Sequence, residues 1–152
     1  MLVPYLIRDT LIMADHKISR PHVRTLMVDD HAAFLDELAH LIEEDCEMDV
    51  VGRATSGEDA LEQASTLRPD LVLMDLAMPG MGGLEATRRL KNTAGTGAPR
   101  VIMLSLHEHS MYHLAALDAR ADGFVPKSKL GTMLLPMIHS LFPAVIEDAV
   151  SN

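Results

Sequence analysis

Asp29 and Asp30, Asp75, Ser105 and Lys127 are the residues of this chain whose types and spacing could do chemistry together. Asp75 ends the unbroken apolar run Leu71 to Met74, and Ser105 ends the apolar run Val101 to Leu104. Three carboxylates brought together repel one another, so they invite a hard divalent cation with oxygen ligands, and Mg²⁺ fits. An ammonium can balance a carboxylate or hold an incoming phosphoryl oxygen, and a hydroxyl can hydrogen-bond that same oxygen. The chemistry this suggests is phosphoryl transfer onto Asp75, which needs mainly positioning and charge neutralisation. Each residue alone has a plainer reading. An aspartate at a strand end commonly caps the next helix, and a lysine is usually a solvated charge. A structural explanation does not cover all of them at the ends of four different strands.

The elements that must position these residues alternate between strand and helix. Val23 to Val28 is strand β1, ending on the acid pair. Helix α1 follows, with Phe34, Leu35, Leu38, Leu41 and Ile42 at helical spacing. Asp49 to Ala54 is β2, and Ser56 caps α2, which runs to about Leu67 and is broken by Pro69. The four-residue apolar run into Asp75 is β3; such a run suits a strand buried on both faces, as in a parallel sheet. Pro79 and Gly80 then force a turn before α3, Leu84 to Asn92, and Thr93 to Pro99 is a Gly-rich connection. Val101 to Leu104 is β4, about Ser110 to Ala119 is α4, and Gly123 to Val125 is β5. About Lys129 to Leu141 is α5, with Leu130, Leu134, Met137, Ile138 and Leu141 in one stripe. Five βα units in succession predict an α/β fold: a doubly wound five-stranded parallel sheet with right-handed crossovers. Such a sheet brings the carboxyl ends of its strands, where ligands bind, to one edge.

At this point the chain resembles the receiver domain of two-component response regulators, in particular the receivers found ahead of helix-turn-helix transcription regulators. Four segments carry the resemblance: Leu26-Met27-Val28-Asp29-Asp30-His31, Asp70 through Asp75 to Pro79-Gly80-Met81-Gly82-Gly83, Met103-Leu104-Ser105, and Ala121-Asp122-Gly123-Phe124-Val125-Pro126-Lys127. The resemblance implies a (βα)5 flavodoxin-like receiver fold over residues 23–143, flanked by a peripheral arm (1–22) and a short tail (144–152). It implies that Asp75 is the phospho-acceptor. Asp30 and Asp75 would ligate Mg²⁺ directly with the backbone carbonyl of Ala77, and Asp29 mostly through water. Ser105 and Lys127 would contact the phosphoryl group. Phe124 matches the switch aromatic, which in the family turns inward as the hydroxyl residue moves toward the phosphate. The donor would be a sensor histidine kinase or a phosphotransfer protein. Signal would pass to the face of the last helices and fifth strand, and homodimers through the α4-β5-α5 or α1-α5 faces are expected. Such a domain assists its own phosphorylation and slow dephosphorylation but is not an enzyme.

Two departures stand out. Ala77, two residues after the acceptor, has no polar group to orient a water, so slow self-dephosphorylation is expected, although His107, two after Ser105, has one. Pro126 stands before Lys127, where much of the family has its proline after the lysine.

Competing classes fare worse. A haloacid-dehalogenase-type phosphatase wants an aspartate where this chain has Ala77. A phosphate-independent adaptor of the same fold has no need of the set Asp29, Asp30, Asp75, Ser105 and Lys127. His109 and His113, at i and i+4, have the spacing of a transition-metal pair, but nothing completes a set and they read as part of a solvated loop. Met133 and Met137 fill core or soften a partner-binding face. The net charge of −9 argues against direct nucleic-acid binding by this chain. Only about nine residues follow α5, so the chain is either stand-alone or excised from a DNA-binding regulator. One cysteine, Cys46, excludes an internal disulfide framework, and no apolar run spans a bilayer. The expected location is cytoplasmic, with no membrane contact.

Overall fold

The computed structural model of the chain describes residues 22–93 and 97–145. The arm expected over residues 1–22 falls outside the described residues except for His22, as does all but the start of the expected tail.

The observed strands are β1 (Val23–Val28), β2 (Met48–Ala54), β3 (Leu71–Asp75), β4 (Arg100–Ser105) and β5 (Gly123–Pro126). The helices are α1 (Ala32–Glu43), α2 (Gly57–Leu67), α3 (Gly83–Asn92), α4 (Ser110–Asp118) and α5 (Leu130–Leu141). A 3₁₀ turn, Lys127–Lys129, precedes α5, so that helix starts one residue later than its sequence pattern suggests. All pairings are parallel, in the order β2-β1-β3-β4-β5. The winding reverses between β1 and β3, and the crevice outside their carboxyl ends is where open α/β sheets bind ligands. This is the predicted flavodoxin-like architecture.

Side chains of successive strand residues point to opposite faces, and each face buries its own core. Met27, Leu71, Leu73, Ile102, Leu104 and Val125 pack with Leu35, Leu38 and Ile42 of α1 and Leu134 and Ile138 of α5. Leu26, Val28, Val72, Met74, Val101 and Met103 pack with the small residues Ala60, Ala64, Ala86 and Ala116 of α2, α3 and α4. Every residue of β3 is buried, which explains its lack of alternation. Each fully buried Leu or Ile contributes about 1.5–3 kcal/mol.

Local chemistry sets the helix ends. Ser56 Oγ accepts the Asp59 N–H (3.0 Å) as the N-cap of α2. At the other end Arg68 adopts a left-handed conformation, φ 49°. Arg24 Nη1 donates to the carbonyls of Leu67 (2.7 Å) and Arg68 (2.9 Å), satisfying groups the helix leaves free. The stop therefore lies in Arg68 as much as in Pro69. Pro126 lies on β5, an edge strand, the sheet position where proline is tolerated. No helix among the described residues is long and apolar enough to cross a membrane.

Candidate functional site

Asp29 closes β1 and is fully buried. Its Oδ1 accepts the His31 N–H at 2.8 Å, and its Oδ2 accepts from Lys127 Nζ at 2.6 Å. Asp75 closes β3, 4% exposed, with Oδ1 3.1 Å from the same Nζ. Lys127 reaches them from the 3₁₀ turn after β5, and its ammonium sits 4.1 Å from the centroid of the Phe34 ring on α1. Two carboxylates and one aromatic face thus fix one cation. The backbone beyond β3 is tied down as well: Leu76 N–H donates to Leu104 O (2.9 Å) and Gly83 N–H to Leu76 O (3.1 Å). Gly80 makes the turn after Pro79 with φ +72°, a conformation that suits glycine.

Ser105, at the end of β4, is buried and its Oγ accepts the His107 N–H at 2.9 Å. Asp75, Ala77, Ser105 and Lys127 line one small cleft of about 50 Å³, together with His31, Leu106 and His107. A larger cavity of about 540 Å³ lies between the carboxyl ends of α2 and α3 and holds none of the predicted residues. The small cleft, where the charged groups converge, is the candidate site.

Burial raises the Asp75 carboxyl above its ordinary value, the Lys127 hydrogen bond opposes this, and the neighbouring charges of Asp29 and Asp30 add to it. Burial would lower the Lys127 ammonium, but its bonds to Asp29 and Asp75 outweigh that and raise it.

The donor set suits a divalent cation. Among the described residues, Asp30 Oδ1 is the one buried side-chain oxygen or nitrogen without a hydrogen-bond partner. An oxygen lone pair stranded beside a second carboxylate calls for a positive ligand. The donor atoms of Asp29, Asp30 and His31 lie within 4.8 Å of one another, and Asp75 Oδ1 faces Lys127 Nζ at 3.1 Å. The sequence reading gave His31 no role, although it directly follows the acid pair.

Phe124 does not line the cleft. It is buried against the α2–α4 face with its ring stacked on His113, centroids 5.1 Å apart at 13°. His107 stacks on Tyr112 at 4.9 Å, and His109 Nδ1 accepts the Met111 N–H at the start of α4. These histidines are exposed, as expected, but two of them are held by ring contacts rather than freely solvated.

Residues 25–138 match the family model of the response regulator receiver domain. The chain is 34% identical over 120 residues to the response regulator UvrY of Escherichia coli strain K12, covering 79% of this chain and 54% of that protein. It is 37% identical over 114 residues to the nitrate/nitrite response regulator NarL of the same strain, covering 75% of this chain and 52% of that protein. The chain thus spans about half the length of these relatives. Among solved structures, it resembles a LuxR-family two-component response regulator from Aurantimonas sp. SI85-9A1, with a TM-score of 0.75 and 33% identity over 81% of this chain and 86% of that one. The response regulator domain of Thermotoga maritima CheB gives a TM-score of 0.71 and 32% identity over 78% of this chain and 95% of that one.

Proposed function

This chain belongs to the response regulator receiver family, and we propose that it works as a phosphorylation-operated switch whose acceptor is Asp75. The observation that carries this reading is the single ammonium of Lys127 held between Asp29 and Asp75 at the mouth of the cleft that Ser105 also lines. A carboxylate oxygen of Asp75 attacks the phosphorus of a phosphohistidine on a histidine kinase or phosphotransfer protein. The P–N bond breaks as the P–O bond forms, leaving an acyl phosphate on Asp75 and a free imidazole on the donor. Lys127 Nζ exchanges its contact with Asp75 for one with a phosphoryl oxygen, and Asp29 keeps it in place meanwhile. Ser105 Oγ–H donates to another phosphoryl oxygen.

Asp30, Asp75 and the carbonyl of Ala77 would hold Mg²⁺, with Asp29 acting mostly through water, and the bound cation would supply charge neutralisation for the transferring oxygens. The raised Asp75 carboxyl makes the same point from the other side, since this aspartate is unfavourable as a bare anion. Once Ser105 turns to the phosphate, its bond to the His107 N–H is lost and the β4–α4 loop is released. Phe124, on the neighbouring strand, registers that change at its contact with His113 on α4. Partners read it on the α4-β5-α5 or α1-α5 face, and the domain, residues 23–143, works in the cytoplasm. The exposed apolar residues Leu106, Met111, Leu114 and Leu117 lie on and beside α4, which supports the first of those faces.

The test is intact mass after incubation with acetyl phosphate. One phosphoryl adduct that requires both a divalent cation and Asp75, and is absent from Asp75→Ala, supports the reading. A folded wild-type protein that takes no adduct refutes it and favours the phosphate-independent adaptor.

A further inference from the structure

The larger cavity has no part in the phosphoryl chemistry, and its lining is chemically one-sided. It holds about 540 Å³ between the carboxyl ends of α2 and α3, within the range of about 300–1,000 Å³ typical of small-molecule sites. Its inner wall is apolar: Leu61, Ala64, Pro69 and Leu90, with Ala64 and Leu90 both buried. The charged side chains that line it are Arg68 and Arg89, and among the described residues no carboxylate does. The chain as a whole carries 22 acidic residues against 13 lysines and arginines, so two guanidinium groups with no acid between them run against the average surface. Neither guanidinium is used up by the fold. Arg89 Nε donates to Glu85 Oε2 at 2.9 Å, which leaves both Nη groups without a protein partner among the described residues. Arg68 is held by its backbone: its N–H donates to Ala64 O at 2.9 Å, and its carbonyl accepts from Arg24 Nη1 at 2.9 Å. Its side chain has no partner among the described residues. Bare carbonyls at a helix end would oppose an anion, but several are already engaged here. Arg24 Nη1 bonds those of Leu67 and Arg68, and Thr93 Oγ1 bonds that of Arg89.

We propose that this cavity binds a small organic acid, an apolar ring or chain bearing one carboxylate. The apolar body lies against Leu61, Ala64 and Leu90, and the carboxylate pairs with Arg68 and Arg89. A guanidinium fork matches a carboxylate in both geometry and charge, and removing the apolar body from water supplies the rest of the affinity. The cavity shares no lining residue with the Asp75 cleft, and binding there needs no phosphorylation. The plainer alternative is a surface groove rimmed by two solvated arginines. Such a groove has no preference for an acid over its neutral amide.

The probes are naphthoate and octanoate, one rigid and one flexible, with naphthamide and octanamide as their neutral counterparts. On the full chain, titrations followed by amide NMR both locate binding and read affinity. At least one acid is expected to give saturable shifts at Ala64, Leu90 and Thr93, and its amide to bind about fivefold or more weakly, a step set by partly exposed charge pairs. Combining Arg68→Gln with Arg89→Gln is expected to bring that acid down to the level of its amide and to leave the amide unchanged. Both arginines are exposed, so the fold survives the change, and unaltered amide binding confirms this in the same experiment. Equal affinity of acid and amide overturns the proposal, as does a preference for the acid that persists without the arginines. Shifts confined to the exposed apolar residues of α4, Met111, Leu114 and Leu117, also overturn it. So does the absence of any saturable shift in the folded protein with either acid.

Discussion

Lys127 Nζ lies 2.6 Å from Asp29 Oδ2, closer than to Asp75. The ammonium proposed to meet an incoming phosphoryl oxygen is therefore anchored beside the end of β1, while the proposed acceptor stands on β3, so Lys127 can give up its contact with Asp75 and still be held by Asp29. Lys127→Met leaves Asp29 fully buried without its cation. It is expected to lower stability in EDTA by about 1–3 kcal/mol by urea denaturation. Lys127→Arg keeps the charge and is expected to recover part of that loss. A Lys127→Met protein as stable as wild type would contradict the anchoring.

The approach of α3 to the site depends on one missing side chain. A Cβ on Gly83 would come within 2.0 Å of the Asp75 carbonyl oxygen, whereas one on Gly82 would stand 3.7 Å from its nearest neighbour, the Leu76 carbonyl. Both neighbours are backbone and cannot swing aside. Gly83→Ala is expected to cost about 1–3 kcal/mol or more by displacing the acceptor strand end, and Gly82→Ala about 0.5 kcal/mol or less. Paired thermal melts check this; equal melting temperatures would count against it.

Asp122 gives a pH signature. Burial would raise its carboxyl, but Lys91 at 2.5 Å, the Val101 N–H at 2.8 Å and Arg100 at 3.0 Å outweigh that and hold it below the usual carboxylate range. With the folded value below the unfolded one, the folded state releases its proton more readily. The stabilisation is present above the unfolded value of about 3.9 and is lost as pH falls through the folded value. Asp122→Asn is therefore expected to lose about 1–2 kcal/mol near neutral pH and to converge with wild type in acid. Parallel curves down to about pH 2 would contradict it.

Much of this site was legible in the sequence because topology does the gathering. Once five strands alternate with five helices, a parallel sheet must bring Asp29, Asp75, Ser105 and Lys127 to one edge. Other features depend on local angles that residue types do not announce. His31 joins the acids only because the turn after β1 points its ring back at them. Arg68 ends α2 in a left-handed conformation that its type does not favour, and Arg24, far off in sequence, supplies the hydrogen bonds that hold it there. Pro136 sits inside α5, where it removes a helix hydrogen bond. The helix persists because Leu134 and Ile138, on either side, are completely buried.

Ala77 is expected to make loss of the phosphoryl group slow. It is exposed and lines the cleft, yet offers no atom to orient an attacking water. Ala77→Gln is expected to speed loss of the adduct roughly tenfold or more, followed by intact mass after removal of acetyl phosphate. A wild-type half-life of seconds with Mg²⁺ present, or no change in Ala77→Gln, would contradict the expected slow dephosphorylation.

The most direct test of the central claim is chemical location of the phosphoryl group. Borohydride reduces an aspartyl phosphate to homoserine, and peptide sequencing by mass spectrometry then shows which aspartate carried it. Homoserine is expected at Asp75 alone, formed only when a divalent cation was present during phosphorylation. Homoserine at Asp29 or Asp30, or none in a folded protein, would contradict it.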